Sequence, residues 1–439
     1  MSIKNKNNYN MMKKSIYKIL SVIIFPVYLF ALLFAAIIAR ISRKKNAPPR
    51  LVWGSTPIIS YANWSEAMSL IGFRSETYTK GFYSTINQRK DWDKIVEEEY
   101  RYMPTPVKPL IAFMHSLFKY DVFVTSFDGF FLGGTIFNYY QAQIIKIAGK
   151  KIIIIPYGAD AYVYRRIRSI GLLHGLMMSY PKKSRSQMFI SKNLDYWCRN
   201  ADVVITGIMG PDGFGRWDVL LPSPFCLNLN EWSKFKPMIN GNAASTKVVI
   251  AHAPNHRGFK GTEFIIEAVN KLKNEGLNIE FILLEKRSNA EVRKILCNDV
   301  DILIEQIIAT GHGLNALEGM ASGLPVISNL EDEAYILPMR RWSYFSECPI
   351  VSGTPENLVD VLRKLVMRPE LRSELGKAGR AYIEKYHGHD SAQYLFSNVI
   401  DYMYGKKDSL INLYHPLLGE YPNRSPKIQH PLVNNRIVD

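Results

Sequence analysis

Chemistry concentrates in one stretch of this chain, Glu305 to Asn329, which reads EQIIATGHGLNALEGMASGLPVISN. An apolar run ends at Ala309, Thr310-Gly311-His312-Gly313 follows as a turn poor in side chains, and Asn315-Ala316-Leu317-Glu318 opens a run of good helix formers. Such a loop delivers a helix N-terminus, whose unpaired N–H groups and partial positive charge attract an anion, and its glycines let a phosphate come close to the backbone. Phosphate binding by Gly311, His312, Gly313, Leu314 and Asn315 is the chemistry that these residue types and this spacing favour. Gly323 can close the helix in a left-handed conformation, and Pro325-Val326-Ile327 begins a short buried strand.

At these residues the sequence resembles the donor-binding signature of retaining GT-B glycosyltransferases. The similarity is to family 4, the group with the glycosyltransferase group 1 C-terminal domain, in its bacterial surface-polysaccharide type. The signature L-E-x-M-A-x-G-x-P-V-I is matched by Leu317, Glu318, Met320, Ala321, Gly323, Pro325, Val326 and Ile327. Thr310 stands where the family often carries a first Glu. The resemblance implies that Glu318 hydrogen-bonds the ribose hydroxyls of a nucleotide, while Asn315-x-x-Glu318 also has the spacing of a capping box. Lys260-Gly261-Thr262 resembles the family's K-G step, whose basic residues contact the donor diphosphate, and this makes Lys260 and Arg257 the candidate cations. A departing nucleotide diphosphate gains charge in the transition state, so fixed cations aimed at it stabilise that state selectively. A solvated basic loop is the alternative for both residues.

These groups need elements to hold them. Leu51 to Gly54, Arg74 to Tyr78, Val122 to Thr125, Lys151 to Ile155 and Val203 to Thr206 read as strands, with helices over Tyr61 to Leu70 and Tyr139 to Ala148. Strand-helix-strand units imply a parallel sheet. Several strands stop at polar or glycine-bearing corners, and ligands gather at the carboxyl ends of strands in open α/β sheets. Asp160, in the corner Pro156-Tyr157-Gly158-Ala159-Asp160, resembles the place where related enzymes present an acceptor-side polar residue, often with His where Tyr157 stands. An ordinary turn is the alternative for each corner. The architecture restarts after a Pro-rich stretch: strands at Lys247 to Ala251, Glu280 to Glu285 and Asp301 to Glu305, and helices at Glu263 to Lys273 and Ala290 to about Asn298. Helices over Pro355 to Met367, Pro369 to Tyr386 and Ser391 to Tyr404 complete the reading.

The net charge is +16 over 439 residues, and ten basic residues with no acid precede Glu66. That excess flanks Ile19 to Ala39, ILSVIIFPVYLFALLFAAIIA, an uncharged run long enough to cross a bilayer core, so its natural partner is an anionic lipid surface. A cleaved signal peptide is the alternative, and a kink at Pro26 would let the segment re-enter on one face. No nucleic-acid module is recognisable, so nucleic acid is not an expected partner. Cys198, Cys226, Cys297 and Cys348 are scattered without a CxxC pair, and neither they nor His252, His256 and His312 suggest a metal.

The expected fold class is α/β, two Rossmann-like domains (GT-B) with an N-terminal membrane helix. The order is a basic segment 1–18, a membrane anchor 19–39, a basic linker 40–50, an acceptor domain 51–225, a linker 226–246, a nucleotide-sugar donor domain 247–390, a closing helix 391–405 and an extended tail 406–439. The resemblance implies a retaining hexosyltransferase that moves sugar from a nucleotide-sugar donor, UDP-linked, to a lipid-linked or glycan acceptor in polysaccharide biosynthesis. It would work at the inner membrane with its domains on the cytoplasmic face, and without a cofactor or metal beyond the donor. The residues expected at the site are Lys260, Arg257 and Asp160 for catalysis, and Glu318 with Gly311 to Asn315 for the donor. Three rivals stand beside this: a metal-dependent transferase using Asp91 and Asp93 as a D-x-D pair, a non-catalytic GT-B partner of another transferase, and a Rossmann dehydrogenase. The last lacks a G-x-G-x-x-G after its first strand.

Overall fold

Runs such as Val122–Thr125 and Lys151–Ile154 are almost entirely β-branched and aromatic, the pattern of strands covered on both faces. In the computed structural model, which describes residues 25–42, 48–83, 87–208, 213–232 and 246–438, they lie at the centre of the first of two parallel sheets. That sheet comprises β1 (Leu51–Trp53), β2 (Ser75–Thr79), β3 (Lys94–Ile95), β4 (Val122–Thr125), β5 (Lys151–Ile154) and β6 (Val203–Val204), in spatial order β3-β2-β1-β4-β5-β6. The second comprises β7 (Val248–His252), β8 (Ile279–Leu283), β9 (Ile302–Thr310), β10 (Val326–Asn329) and β11 (Val351–Ser352), in order β11-β10-β9-β7-β8. Every pairing within the two sheets is parallel. A hairpin of β12 (Leu432–Val433) and β13 (Arg436–Ile437) lies near the C-terminus.

The helices of the first half are α1 (25–41), α2 (Ile59–Leu70), α3 (Val96–Glu99), α4 (Lys108–Lys119), α5 (Gln141–Ile147), α6 (Ile170–Ser179) and α7 (Gln187–Asn200). Those of the second are α8 (Arg257–Lys260), α9 (Thr262–Asn274), α10 (Asn289–Asn298), α11 (Leu314–Ala321), α12 (Glu333–Trp342), α13 (Leu358–Met367), α14 (Pro369–Tyr386) and α15 (His389–Met403). Both sheet orders are of the doubly wound kind, and each reverses at one point: between β1 and β4, and between β7 and β9. In sheets of this kind ligands bind outside the strand ends at such points. The core runs through both halves, because α15 crosses back onto the first: Phe396 meets Trp53 at 4.8 Å and Trp64 at 5.7 Å, and Gln393 donates to the Ala67 carbonyl at 2.9 Å.

The expected spanning anchor over 19–39 lies only partly within the described residues. Residues 19–24, like segment 1–18 and parts of the linkers at 43–47 and 233–245, lie outside the described residues. The remainder forms α1, which packs along the first half: Leu32, Ala36 and Ala39 are buried in its core, and Phe25 stacks on Phe137 at 5.1 Å. Alanines at the contact let the helix backbone sit close, so one face belongs to the protein. Among the described residues no helix is long and apolar enough to cross a membrane.

The tail from 406 to 438 contains no helix, yet it is tied down. Tyr414 and Tyr421 join Tyr344 and Tyr386 in an aromatic cluster, and Asn435 donates to the carbonyls of Cys348 and Ile350 at 2.8 and 3.0 Å.

Candidate functional site

The second sheet's crevice is built from the end of β7, the turn α8 and the loop that leaves β9. His252 closes β7 with a ring that is fully buried. Its Nδ1 lies 2.8 Å from the Ile304 carbonyl, which can only accept, so Nδ1 carries the proton and Nε2 accepts from the Thr262 hydroxyl at 2.9 Å. Burial holds its pKa at about 4. His252 is thus a neutral brace between two strands and a helix.

α8 is a single turn ended by Gly261 at φ +78°, a left-handed conformation that suits glycine. It places Lys260 almost fully buried, with its ammonium against the carboxylate of Glu305 and 2.7 Å from Gln306 Oε1. A β-bulge of β9 against β10 brings these two acceptors inward, and Ser328 donates to the second oxygen of Glu305 at 3.2 Å. Gly313 sits directly over the pair: a Cβ there would lie 3.2 Å from Glu305 Oε1 and 3.8 Å from Lys260 Nζ. Arg257 turns the other way, donating to Glu263 at 2.7 Å and to Glu285 at 3.0 Å on the surface. From the first half, α6 seats on α8, where the Phe259 N–H donates to Ser179 Oγ at 2.8 Å.

The glycine loop enters α11 with Gly313 as its N-cap, and among the described residues no side chain caps the helix. The capping box suggested by Asn315 and Glu318 does not form; Asn315 Nδ2 instead donates to Glu318 Oε2 at 3.3 Å. The opening N–H groups of α11 have no intrahelical acceptor by geometry, and among the described residues no side chain caps them. His312 is turned into the second half, stacked on Phe345 at 6.1 Å, and neither ring nitrogen has a partner among the described residues. Burial pushes its pKa down to about 3, so it is neutral and only its backbone belongs to the loop.

Leu314 and Glu318 face a cleft of about 660 Å³ between the halves. Burial pushes the Glu318 carboxyl up to about 7. Beside it stand Ser288 and Arg293 of the α10 start and Trp232 of the connection; Arg293 pairs with Glu231 and lies 5.8 Å from the centre of the Trp232 ring. The opposite wall carries Asn63, Glu66, Thr77, Lys90 and Asp91. Asp91 and Asp93 also line it, but Asp91 accepts from the Gln88 N–H at 2.7 Å, and Asp93 from the Thr77 N–H and hydroxyl at 2.8 and 2.9 Å. Both carboxylates thus accept hydrogen bonds from within the first half, and among the described residues no three metal-ligating side chains gather.

Asp160 lies at the other switch point, buried. Its oxygens accept from the N–H groups of Tyr157 and Gly158, both at 3.0 Å, and of Phe127 at 3.1 Å, which ties the corners after β4 and β5 together. Burial, reinforced by Asp128, raises its pKa to about 7. Asp128 is the more open partner and accepts from the Tyr157 hydroxyl at 2.6 Å.

The structure thus brings Lys260, Gly313 and α11 together, gives the cleft Leu314 and Glu318, and sends Arg257, His312 and Asp160 elsewhere. Sequence reasoning missed Glu305, Arg293 and Trp232, and marked Asp128 only as part of the corner Ser126-Phe127-Asp128-Gly129 that ends a strand. Of the three missed, Arg293 alone had a usable signal, as the fifth residue of a helix that follows the carboxyl end of a strand.

No protein-family model matches the chain, and no curated protein matches it in sequence. Among solved structures it is similar to the sucrose-phosphate synthase of Thermosynechococcus elongatus, with TM-score 0.52 and 13% identity over 82% of this chain and 100% of that one. It is also similar to HepE of Anabaena in complex with UDP-glucose, with TM-score 0.49 and 12% identity over 80% of this chain and 99% of that one. The first likeness shows the fold: two Rossmann-like halves in the GT-B arrangement.

Proposed function

We propose that this GT-B chain is a retaining, family 4-like hexosyltransferase that takes sugar from a UDP-linked donor. Its acceptor is a lipid-linked or membrane-associated glycan in surface-polysaccharide biosynthesis, at the cytoplasmic face of the inner membrane. The carrying observation is the uncapped start of α11 at the cleft, one turn before Glu318. Diphosphate oxygens would accept from the N–H groups of Leu314 and Asn315, next to Lys260, while Glu318 takes the ribose hydroxyls. Arg293 and Trp232 offer a cation and a ring face for the base.

In this reading the anomeric C–O bond to phosphate breaks as the acceptor oxygen bonds to the same face of the anomeric carbon. The acceptor's proton passes to the leaving phosphate, and the helix terminus balances the charge that develops. Asp160 holds the acceptor-side corners in place rather than touching the acceptor. A thermal-shift screen of UDP, UDP-sugars and other nucleotide sugars tests the proposal. UDP-sugars should raise the melting temperature of the wild type and fail to do so for Glu318→Ala; no shift with any nucleotide would dismiss it.

A second reading, a partner subunit that keeps the fold without turnover, has one observation in its favour: the Lys260 charge is already matched by Glu305. Sugar transfer by the purified chain alone would exclude it.

A further inference from the structure

On α1 two faces run side by side along one helix. Leu32, Ala36 and Ala39, spaced four and three apart, are buried against the first half. Val27, Phe30, Phe34, Ile37 and Ile41, spaced three, four, three and four apart, are each 49% to 74% exposed. At about 100° per residue the second set points nearly opposite to the first. The helix is therefore held by the protein on one side and presents an uninterrupted apolar stripe on the other. A stripe of that kind facing water along the whole helix marks an interaction surface.

The stripe has neighbours. Phe25 at the start of α1 lies 5.7 Å from Tyr140, and Tyr139 beside it lies 5.4 Å from Tyr196 of α7. Ile136, Tyr139 and Tyr140 are exposed, as are Met188 and Phe189 in the first turn of α7. The sequence leading into that turn is one-signed: from Ala161 to Leu194 there are seven basic residues and no acid. Lys182, Arg185 and Lys192 of this run are exposed. The segment 1–24, outside the described residues, likewise contains five lysines and no acid.

Apolar and aromatic side chains on adjoining elements, bordered by cations of a single sign, match the chemistry of an anionic bilayer surface: acyl chains below, phosphates at the rim. A second copy of this chain would bring the same positive charge to the contact. We propose that α1 and the first turn of α7 form a monotopic docking face, on which α1 lies in the plane of an anionic lipid surface instead of crossing the bilayer. This deepens the membrane element of the proposed function without resting on donor chemistry.

The test is flotation of the full chain with vesicles of phosphatidylcholine alone or mixed with phosphatidylglycerol. Binding is expected to the mixed vesicles, weakening as salt rises. Phe30→Ser with Phe34→Ser and Ile37→Ser, which spares the buried face, should weaken it at least about tenfold, and so should Lys182→Ala with Lys183→Ala and Arg185→Ala. Unchanged melting temperatures show that these variants fold. Wild-type binding by either variant, or absence of binding to mixed vesicles, overturns the proposal. So does a dimer in sedimentation that the outer-face variant dissolves while vesicles are ignored, and so does an N-terminus reached by protease only from inside sealed vesicles. A nucleotide-induced thermal shift on the same preparations separates the two readings. If the shift persists while flotation fails, only the docking face falls; the reverse result removes only the donor.

Discussion

The ammonium of Lys260 is buried against the carboxylate of Glu305, 45 positions further along the chain, directly beneath Gly313 and the opening of α11. An anion of the protein's own therefore already satisfies the lysine at the place where a diphosphate would be drawn by the helix terminus. Under the proposed function, donor and Glu305 would compete for one charge.

Removing either partner leaves the other charge buried and alone. Lys260→Met is expected to destabilise the fold by about 3–5 kcal/mol, and Lys260→Met with Glu305→Leu to recover most of that loss, both read from urea unfolding. Equal stability of the single and double variants would show that the pair does not exist in solution.

Glu305→Gln keeps the size of the side chain and removes its charge, so Lys260 is released toward a bound anion. UDP affinity should rise several-fold, measured by calorimetry, while Lys260→Ala should lower it and depress turnover. Unchanged UDP affinity in Glu305→Gln would place the diphosphate away from Lys260.

Glu318 titrates in an accessible range. Burial raises its carboxyl from 4.5 to about 7, so near pH 6 the folded protein keeps a proton that the unfolded chain has released. The stability tied to that proton is complete below the unfolded pKa and is lost as pH rises through about 7. Glu318→Gln should therefore gain stability over the wild type between about pH 6 and about pH 8. Donor affinity should run the other way, rising across the same range, because the ionised carboxylate is the better acceptor for ribose hydroxyls. Parallel unfolding curves of the two proteins at both pH values would contradict this.

Asp160 holds three backbone N–H groups, and an amide in its place offers them a single oxygen. Asp160→Asn should cost about 1–3 kcal/mol through the Phe127 N–H that loses its partner. UDP binding, formed in the other half, should stay within twofold of wild type. A loss of UDP binding much larger than the loss of stability would give Asp160 a part in the donor site.

Gly261 is the point where a left-handed residue lets α8 turn into α9. A Cβ there would also lie 2.6 Å from Ile307 Cγ1, so Gly261→Ala combines backbone strain with a clash and should destabilise by about 1–3 kcal/mol. Wild-type stability would show that the loop relaxes freely.

Much of the fold was legible in local pattern. β4 lies where the run Val122 to Thr125 reads, and α14 spans Pro369–Tyr386 because Pro opens that helix and Glu, Lys, Arg and Ala carry it. α6 was not legible: Ile170 to Ser179 is apolar without period, and what the structure adds is that its Gly175 sits against Gly258 and Phe259 of α8. α4 was missed as well, since its apolar face follows a Lys-Pro opening in a stretch assigned no element from sequence.

By itself the sequence determined that residues 311–318 make a glycine turn into a helix and that β-rich runs alternate with helices, because backbone freedom and side-chain period act over a few residues. Which way each group faces was settled by long-range packing. His312 turns inward to Phe345, Arg257 outward to Glu263 and Glu285, Lys260 down to Glu305, and α1 flat against the first half. The physical reason is that burial and charge pairing are settled by partners far along the chain, and no local spacing encodes where those partners will stand.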